Sequence, residues 1–135
     1  MDSKIIFVAL FLFAGLSFAG SWPPYMQYGY HKAYCQYNSM YDDMYADVDD
    51  YWGDYRSDMQ DIGSDLDTSL GNLDSCSTMS CFVTEYRNFA SLMAQATSLY
   101  YYAAWDYGDL PSAMEDYLGY QSSLQSCIQE GIKSR

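Results

Sequence analysis

The sequence contains few basic residues and a single histidine. Six Lys and Arg residues stand against 18 Asp and Glu, which gives a net charge of −12. Binding to nucleic acid or to anionic lipid needs clustered positive charge, so the composition excludes both as partners. The sequence also has no G-x-S-x-G, H-E-x-x-H or phosphate-loop motif. We therefore expect a protein that is not an enzyme and has no catalytic residues.

Long apolar runs are missing after the N-terminus. The most apolar later segment, 91–105, is interrupted by polar residues, so we expect no membrane span. At the N-terminus, Lys4 precedes the apolar run 5–13, and small residues follow up to Ala19. This pattern is typical of a secretory signal peptide, and the run is shorter than the roughly 20 residues that cross a bilayer. We expect residues 1–19 to be removed and the mature protein to be secreted into the extracellular space.

The mature chain would contain four cysteines, an even number in an oxidising compartment. This predicts two disulfide bonds among Cys35, Cys76, Cys81 and Cys127. A zinc site would need closely spaced cysteine pairs together with histidine, whereas His31 is far in sequence from the one close pair. Four cysteines allow three pairings, and the sequence leaves all three open.

The pattern of residues predicts an irregular N-terminal arm followed by an all-α domain. Segment 20–30 contains two prolines, two glycines and three tyrosines without a sustained period, so we expect it to be flexible. Apolar residues in 31–135 recur with a helical period. We therefore predict a small disulfide-stapled helical bundle over 31–135.

The second half of this domain has the clearest helical signals. A stripe of apolar residues predicts a helix over 81–107 that stops at Gly108. The capping-box pattern Ser112-x-x-Glu115 then predicts a last helix over 113–130. The predicted buried stripe of this helix consists of Met114, Tyr117, Leu118, Leu124, Cys127 and Ile128.

The first half allows two interpretations, because one apolar stripe continues from Tyr34 to Leu73. It could form a single helix of about forty residues, which is long for a small globular domain. Alternatively, Gly53 could end one helix and the following aspartate could begin the next. Two shorter helices would bring all four cysteines to one end of an up-and-down bundle, so we predict four helices. A three-helix or elongated dimeric form is the alternative.

Tyrosine is the outlier in composition, with sixteen residues, nine of them between Tyr25 and Tyr55. Eight fall on predicted buried stripes, where the ring packs and the hydroxyl finds a partner; these are Tyr34, Tyr37, Tyr41, Tyr51, Tyr55, Tyr86, Tyr100 and Tyr107. The others that fall off the stripes or in the arm are candidates for adhesion or oxidative cross-linking, namely Tyr25, Tyr28, Tyr30, Tyr45, Tyr101 and Tyr102.

Acidic residues are concentrated between positions 42 and 74, with eleven aspartates and only Arg56 as a base. A helix would place a row of carboxylates along one side, and hard oxygen ligands suit calcium. No EF-hand loop is present, so we expect no cofactor beyond weak, diffuse calcium binding, or else a face that is simply solvated. The candidate ligands are Asp43, Asp47, Asp50 and Asp54.

In composition the chain resembles the tyrosine-rich, acidic proteins of shells, egg cases, cuticles and adhesives. The resemblance implies a secreted structural or extracellular-matrix protein that acts through surface contacts with cations, mineral or basic proteins, and through tyrosine cross-linking. The alternative is a secreted helical binding module for an apolar ligand or a receptor partner, with a pocket among Phe82, Phe89, Met93 and Trp105.

Overall fold

The computed structural model describes residues 22–133, which form an all-α bundle of four helices in up-and-down order. Helix α1 has three consecutive parts: α-helical Pro24–Cys35, π-helical Gln36–Tyr41 and α-helical Asp42–Tyr51. A 3-10 turn, Gly53–Tyr55, leads into α2, and the remaining helices are α2 (Arg56–Asp74), α3 (Met79–Asp106) and α4 (Leu110–Lys133). The predicted fold class is confirmed. The predicted signal peptide over 1–19 lies outside the described residues.

Helix α1 begins at the second of two prolines. Pro23 has extended backbone angles (φ −60°, ψ 154°), and Pro24 is the first helical residue. Proline suits this position because its fixed φ matches the helix and its missing N–H would have no partner there. Residues 24–30 are therefore helical, which corrects the prediction of an irregular arm over 20–30 for this part of the segment.

Tertiary contacts hold the start of α1 against the rest of the bundle. The Trp22 indole donates a hydrogen bond to the carbonyl of Cys76 at 2.9 Å, and its ring meets Phe82 edge-on at a centroid distance of 5.6 Å. Met26 is fully buried. These partners lie more than 50 residues away, so the composition of the segment could not reveal them.

A break in the backbone separates α1 from α2. Trp52 leaves helical geometry with φ −130° and ψ 56°, and the 3-10 turn that begins at Gly53 follows it. The Trp52 indole is buried, donates to Asp109 Oδ2 at 2.9 Å, and meets Tyr100 edge-on at 5.2 Å. The predicted break at Gly53 is confirmed, and the continuous helix of about forty residues is excluded.

The boundaries of α3 agree with the prediction to within two residues. The Thr78 hydroxyl caps its N-terminus by accepting from the Cys81 N–H at 3.1 Å. Its C-terminus is followed by Gly108, whose φ of 76° favours glycine. Helix α4 then starts at Leu110, so Ser112 lies inside the first turn and not at the predicted cap.

The buried face of α4 agrees with the predicted stripe in its second half but not at its start. Met114 and Leu118 are 54% and 66% exposed, whereas Ala113 is fully buried. Only the short connection 107–109 joins α3 to α4, so the two helices approach closely there, and Ala103 and Ala104 of α3 are fully buried as well. A small residue therefore takes the inner position there, and Met114 and Leu118 point outward. The rest of the predicted stripe is correct, because Leu124 and Ile128 are buried and Tyr117 and Cys127 pack partly buried against the core.

Both predicted disulfide bonds are present. Cys76 pairs with Cys81 across the turn between α2 and α3, with a Cα–Cα distance of 5.5 Å. Cys35 pairs with Cys127 at a Cα–Cα distance of 5.8 Å and joins α1 to α4. Cys35 does not start the first helix, as the four-helix prediction assumed, because α1 begins at Pro24, about 16 Å earlier along the axis at 1.5 Å per residue.

Methionine, leucine and aromatic side chains fill the space between the helices. Within residues 22–133, no helix is both long enough and apolar enough to cross a bilayer. The fully buried large side chains of the core are Met26, Met44, Val48, Met59, Leu66, Leu73, Phe89 and Tyr100.

Candidate functional site

The six tyrosines predicted as cross-linking candidates divide into two equal groups. Tyr25, Tyr28 and Tyr102 are 48%, 41% and 53% exposed. The other three pack partly buried against the core, namely Tyr30, Tyr45 and Tyr101. Only the first group combines a hydroxyl with a freely accessible ring.

Three tyrosines predicted to be buried are exposed in the structure: Tyr34, Tyr51 and Tyr107. Tyr51 is the last residue of α1, and the break after it turns Trp52 inward in its place. Tyr107 follows the last residue of α3, where the helical period ends. The stripes failed at these two positions because they assumed that each helix continues. The exposed tyrosines of the described chain are thus Tyr25, Tyr28, Tyr34, Tyr51, Tyr102 and Tyr107.

Aromatic rings also gather at the end of the bundle that carries the α1–α2 break. The Tyr55 ring lies 5.7 Å from Tyr102 and 6.3 Å from Tyr107, and Tyr102 lies 5.8 Å from the exposed Trp105. The Tyr55 hydroxyl donates to Asp106 Oδ2 at 2.6 Å. This hydrogen bond to a carboxylate raises the pKa of Tyr55, since the bond would be lost on ionisation.

The row of candidate calcium ligands is not a single continuous face. Asp47 accepts hydrogen bonds from the hydroxyls of Tyr100 (2.7 Å) and Tyr120 (2.6 Å), so it points between α3 and α4. Burial, followed by this hydrogen bond, raises the pKa of both tyrosines. Asp50 is exposed. Asp54 is exposed too, and it lies beyond the break, so it no longer continues the row.

Desolvation and the neighbouring carboxylates of Asp42 and Asp47 raise the pKa of Asp43, which marks a locally negative region. Among the described residues, His31, Cys35 and Cys127 form the one group of three or more possible metal ligands. Their ligand atoms all lie within 4.8 Å of one another. Its two cysteines form a disulfide bond. Calcium binding by Asp43, Asp47, Asp50 and Asp54 stays a prediction.

Three tyrosines of α1 form a stacked row that the sequence analysis missed. We call Tyr37, Tyr41 and Tyr45 the tyrosine ladder: the first pair of rings is 5.6 Å apart and the second 6.2 Å, at interplanar angles of 16° and 26°. The first step lies in the π-helical part of α1 and the second in the α-helical part. Four residues make less than one π-helical turn but more than one α-helical turn, so the two steps offset each other and the rings stay in line.

Helix α2 completes the surroundings of the tyrosine ladder. The Tyr41 hydroxyl donates to the carbonyl of Met59, and the Gln60 amide donates to the Tyr45 hydroxyl at 2.8 Å. Gly63 lies directly under Tyr41, because a Cβ at this position would overlap the phenol oxygen and come within 2.8 Å of Cζ. The spacing of four residues between the tyrosines was a signal for the row, but Tyr45 fell off the stripe under a uniform α-helical period.

His31 belongs to the packed part of the bundle and not to the edge of a mobile arm. Its Nε2 lies 3.1 Å from the carbonyl of Cys127 and 3.4 Å from Cys35 Sγ. The carbonyl can only accept, so Nε2 donates. The imidazole also lies against Gly131, where a Cβ would overlap it. His31 therefore covers the disulfide between α1 and α4.

The residues named for an apolar ligand pocket do not share one. Phe82, Phe89 and Met93 are buried in the core, whereas Trp105 is 62% exposed. A shallow depression of about 510 Å³ lies along the outer side of α3, and it is lined by Ser91, Ala94, Gln95, Ser98, Leu99 and Tyr102. This depression is too open to enclose an apolar ligand.

A scan against models of protein families, a search of curated proteins and a search of solved structures each gave no match to this chain. The function must therefore be inferred from the residues and geometry of the chain itself.

Proposed function

We propose that this chain is an exported, acidic, tyrosine-rich structural protein of an extracellular matrix, and that it acts through its surface and not through catalysis. Its carboxylates would hold cations, a mineral surface or basic proteins, and its exposed tyrosines would adhere or become cross-linked. Residues 1–19 would direct export and be removed in the process. The two disulfide bonds are compatible with this compartment.

The observation that carries the proposal is the set of exposed tyrosines on a strongly acidic bundle. Six tyrosines are at least 39% exposed, which is far from the usual position of a large aromatic ring in a small domain. The net charge of −12 keeps the bundle soluble and attracts positive partners.

Cross-linking would join tyrosine to tyrosine. The segments outside the predicted signal peptide contain only two lysines, Lys32 and Lys133. In the coupling, each of two phenols loses one electron and one proton, and a carbon–carbon bond forms between the rings. A peroxide, which a peroxidase reduces to water, takes up both electrons and both protons.

Oxidation of the purified protein with peroxidase and hydrogen peroxide tests this proposal. We expect dityrosine fluorescence and covalent oligomers. A triple variant, Tyr25→Phe with Tyr28→Phe and Tyr102→Phe, should lower the yield of dityrosine. The matched control replaces the three half-buried candidates, Tyr30→Phe with Tyr45→Phe and Tyr101→Phe, and should lower it less.

Native material provides the second test. The tissue that makes the protein should yield a detergent-resistant fraction with dityrosine, in which the chain begins after residue 19. Equal yields from the two triple variants would contradict a role for Tyr25, Tyr28 and Tyr102 in the cross-linking. Freely extractable monomer with no cross-links in all native material would contradict the structural role itself.

A further inference from the structure

We propose that the groove between α1 and α2, along the tyrosine ladder, binds an arginine or lysine side chain of a basic partner protein. This inference rests on the proposed function, because it names the place where an acidic surface protein would hold such a partner.

The groove has the size of a site for one side chain. Its volume is about 270 Å³, slightly below the range of about 300–1,000 Å³ that is common for small-molecule pockets. Helix α1 supplies the tyrosine ladder as one wall, and α2 supplies the other wall with Gln60, Gly63, Ser64 and Asp67. Tyr41 is almost completely buried, whereas Tyr37 and Tyr45 are half-buried and leave ring surface open to the groove.

The rings are held in place without the help of a ligand. The Tyr41 hydroxyl is bound to the Met59 carbonyl, and the Tyr45 hydroxyl accepts from Gln60. Gly63 allows the Tyr41 ring to approach the backbone of α2. The aromatic wall is therefore preorganised, which lowers the cost of ordering it when a partner binds.

The electrostatics of the groove favour a positive charge. Asp67 lines one end of it, next to Tyr37. Burial, followed by the charges of Asp67 and Asp42, raises the pKa of Tyr37, so the potential at this ring is negative. Arg56, the one base between residues 42 and 74, is paired with Asp49 outside the groove lining. The groove thus brings tyrosine rings and a carboxylate together in one lining, and both favour an organic cation.

An inorganic cation fits this lining less well. Calcium takes six to eight oxygen ligands, usually with several carboxylates, and the groove has only one carboxylate among its lining residues. An apolar ligand would have to desolvate Gln60, Ser64 and Asp67 without pairing them. A guanidinium or ammonium group on an apolar stem can pair with Asp67 while its stem and charge contact the rings.

The test uses the full mature chain and a peptide with three arginines that alternate with glycines. The matched peptide carries citrulline, the uncharged counterpart of arginine, at the same positions. We expect the wild-type chain to bind the arginine peptide at 0.15 M salt and the citrulline peptide much more weakly. NMR signals of the Gly63 amide and the Gln60 side chain should shift during the titration.

Two groove variants and two controls then locate the binding site. Tyr37→Leu removes a ring and Asp67→Asn removes the lining charge, and each should weaken binding by about fivefold. The controls change the same residue types elsewhere: Tyr51→Leu at the end of α1 and Asp65→Asn on the exposed side of α2. Both controls should bind as the wild type does, because neither residue lines the groove. Asp65→Asn is the matched control for charge, since it alters the net charge as much as Asp67→Asn does.

Each outcome decides the proposal. Equal affinities for the two groove variants and the two controls would overturn the groove as the site but leave the attraction to basic partners intact. Failure of the wild-type chain to bind the arginine peptide would overturn the groove and, with it, basic proteins as partners. Circular dichroism checks the fold of Tyr37→Leu; should this variant unfold, Asp67→Asn, which changes an exposed side chain, decides alone.

Discussion

Helix α1 is held differently on its two sides. Toward α4, it is joined by the Cys35–Cys127 disulfide and by Asp47, which accepts from Tyr120 of α4 as well as from Tyr100 of α3. Toward α2, the contact consists of packed rings and hydrogen bonds from Tyr41 and Gln60, and the second disulfide joins α2 to α3 instead. One side is fixed by a covalent bond and a partly buried carboxylate, while the other leaves an open groove.

The largest difference should appear when the disulfides are removed one at a time. The Cys35–Cys127 bond closes a separation of 92 residues, and Cys76–Cys81 closes only five. Chain entropy predicts a loss of about 5 kcal/mol in the free energy of unfolding for Cys35→Ala with Cys127→Ala, and of about 2 kcal/mol for Cys76→Ala with Cys81→Ala. Urea unfolding measures both. Equal losses would show that the long bond does not constrain α1 as its position indicates.

The next largest loss in the free energy of unfolding should come from removing Asp47, which accepts hydrogen bonds on the α4 side. Asp47→Ala leaves the buried hydroxyl of Tyr100 without its acceptor, and we expect a loss of about 3 kcal/mol. Asp50→Ala, on the same helix but exposed, should stay within about 0.5 kcal/mol of the wild type. Adding Tyr100→Phe to Asp47→Ala should recover part of the loss, since the unpaired hydroxyl is removed. A loss for Asp47→Ala as small as that for Asp50→Ala would contradict a fixed contact.

The smallest effect should come from the side facing α2. Gly63→Ala places a Cβ against the Tyr41 phenol, and we expect a loss of about 2 kcal/mol in unfolding free energy. Gly71→Ala on the same helix meets nothing within 4 Å and should gain up to about 1 kcal/mol, because alanine is the better helix former.

A second background separates crowding from other effects of Gly63→Ala. In a Tyr41→Leu chain the phenol is gone, so Gly63→Ala should cost less than in the wild type. An unchanged cost in that background would mean that Gly63 is needed for a reason other than the approach of the tyrosine ladder.

Local signals in the sequence were sufficient where one residue type determines the backbone. Gly108 has the positive φ that ends a helix and Gly53 begins the turn that follows α1, so the end of α3 and the α1–α2 break were both predictable. Four cysteines also predicted two disulfides. The sequence left their pairing open, because the pairing depends on which helices pack side by side, and contacts between distant residues determine that.

Contacts between distant residues determined what the sequence could not reveal. Asp47 and Tyr120 are 73 residues apart, and no local pattern links them. The tyrosine ladder depends on a π-helical stretch, whereas a periodicity analysis assumes one uniform helix. The face of α4 assigned from hydropathy was right at Leu124 and Ile128, but at the start of the helix the small Ala113 is buried and Met114 is exposed.

The contact between the His31 imidazole and Gly131 has a consequence for the disulfide that joins α1 to α4. The imidazole lies between the backbone at Gly131 and the Cys35 sulfur, so its position over the disulfide depends on that backbone. Helix α4 thus takes part in shielding the long disulfide twice, once through the bonded Cys127 and once through the backbone on which the shielding imidazole lies.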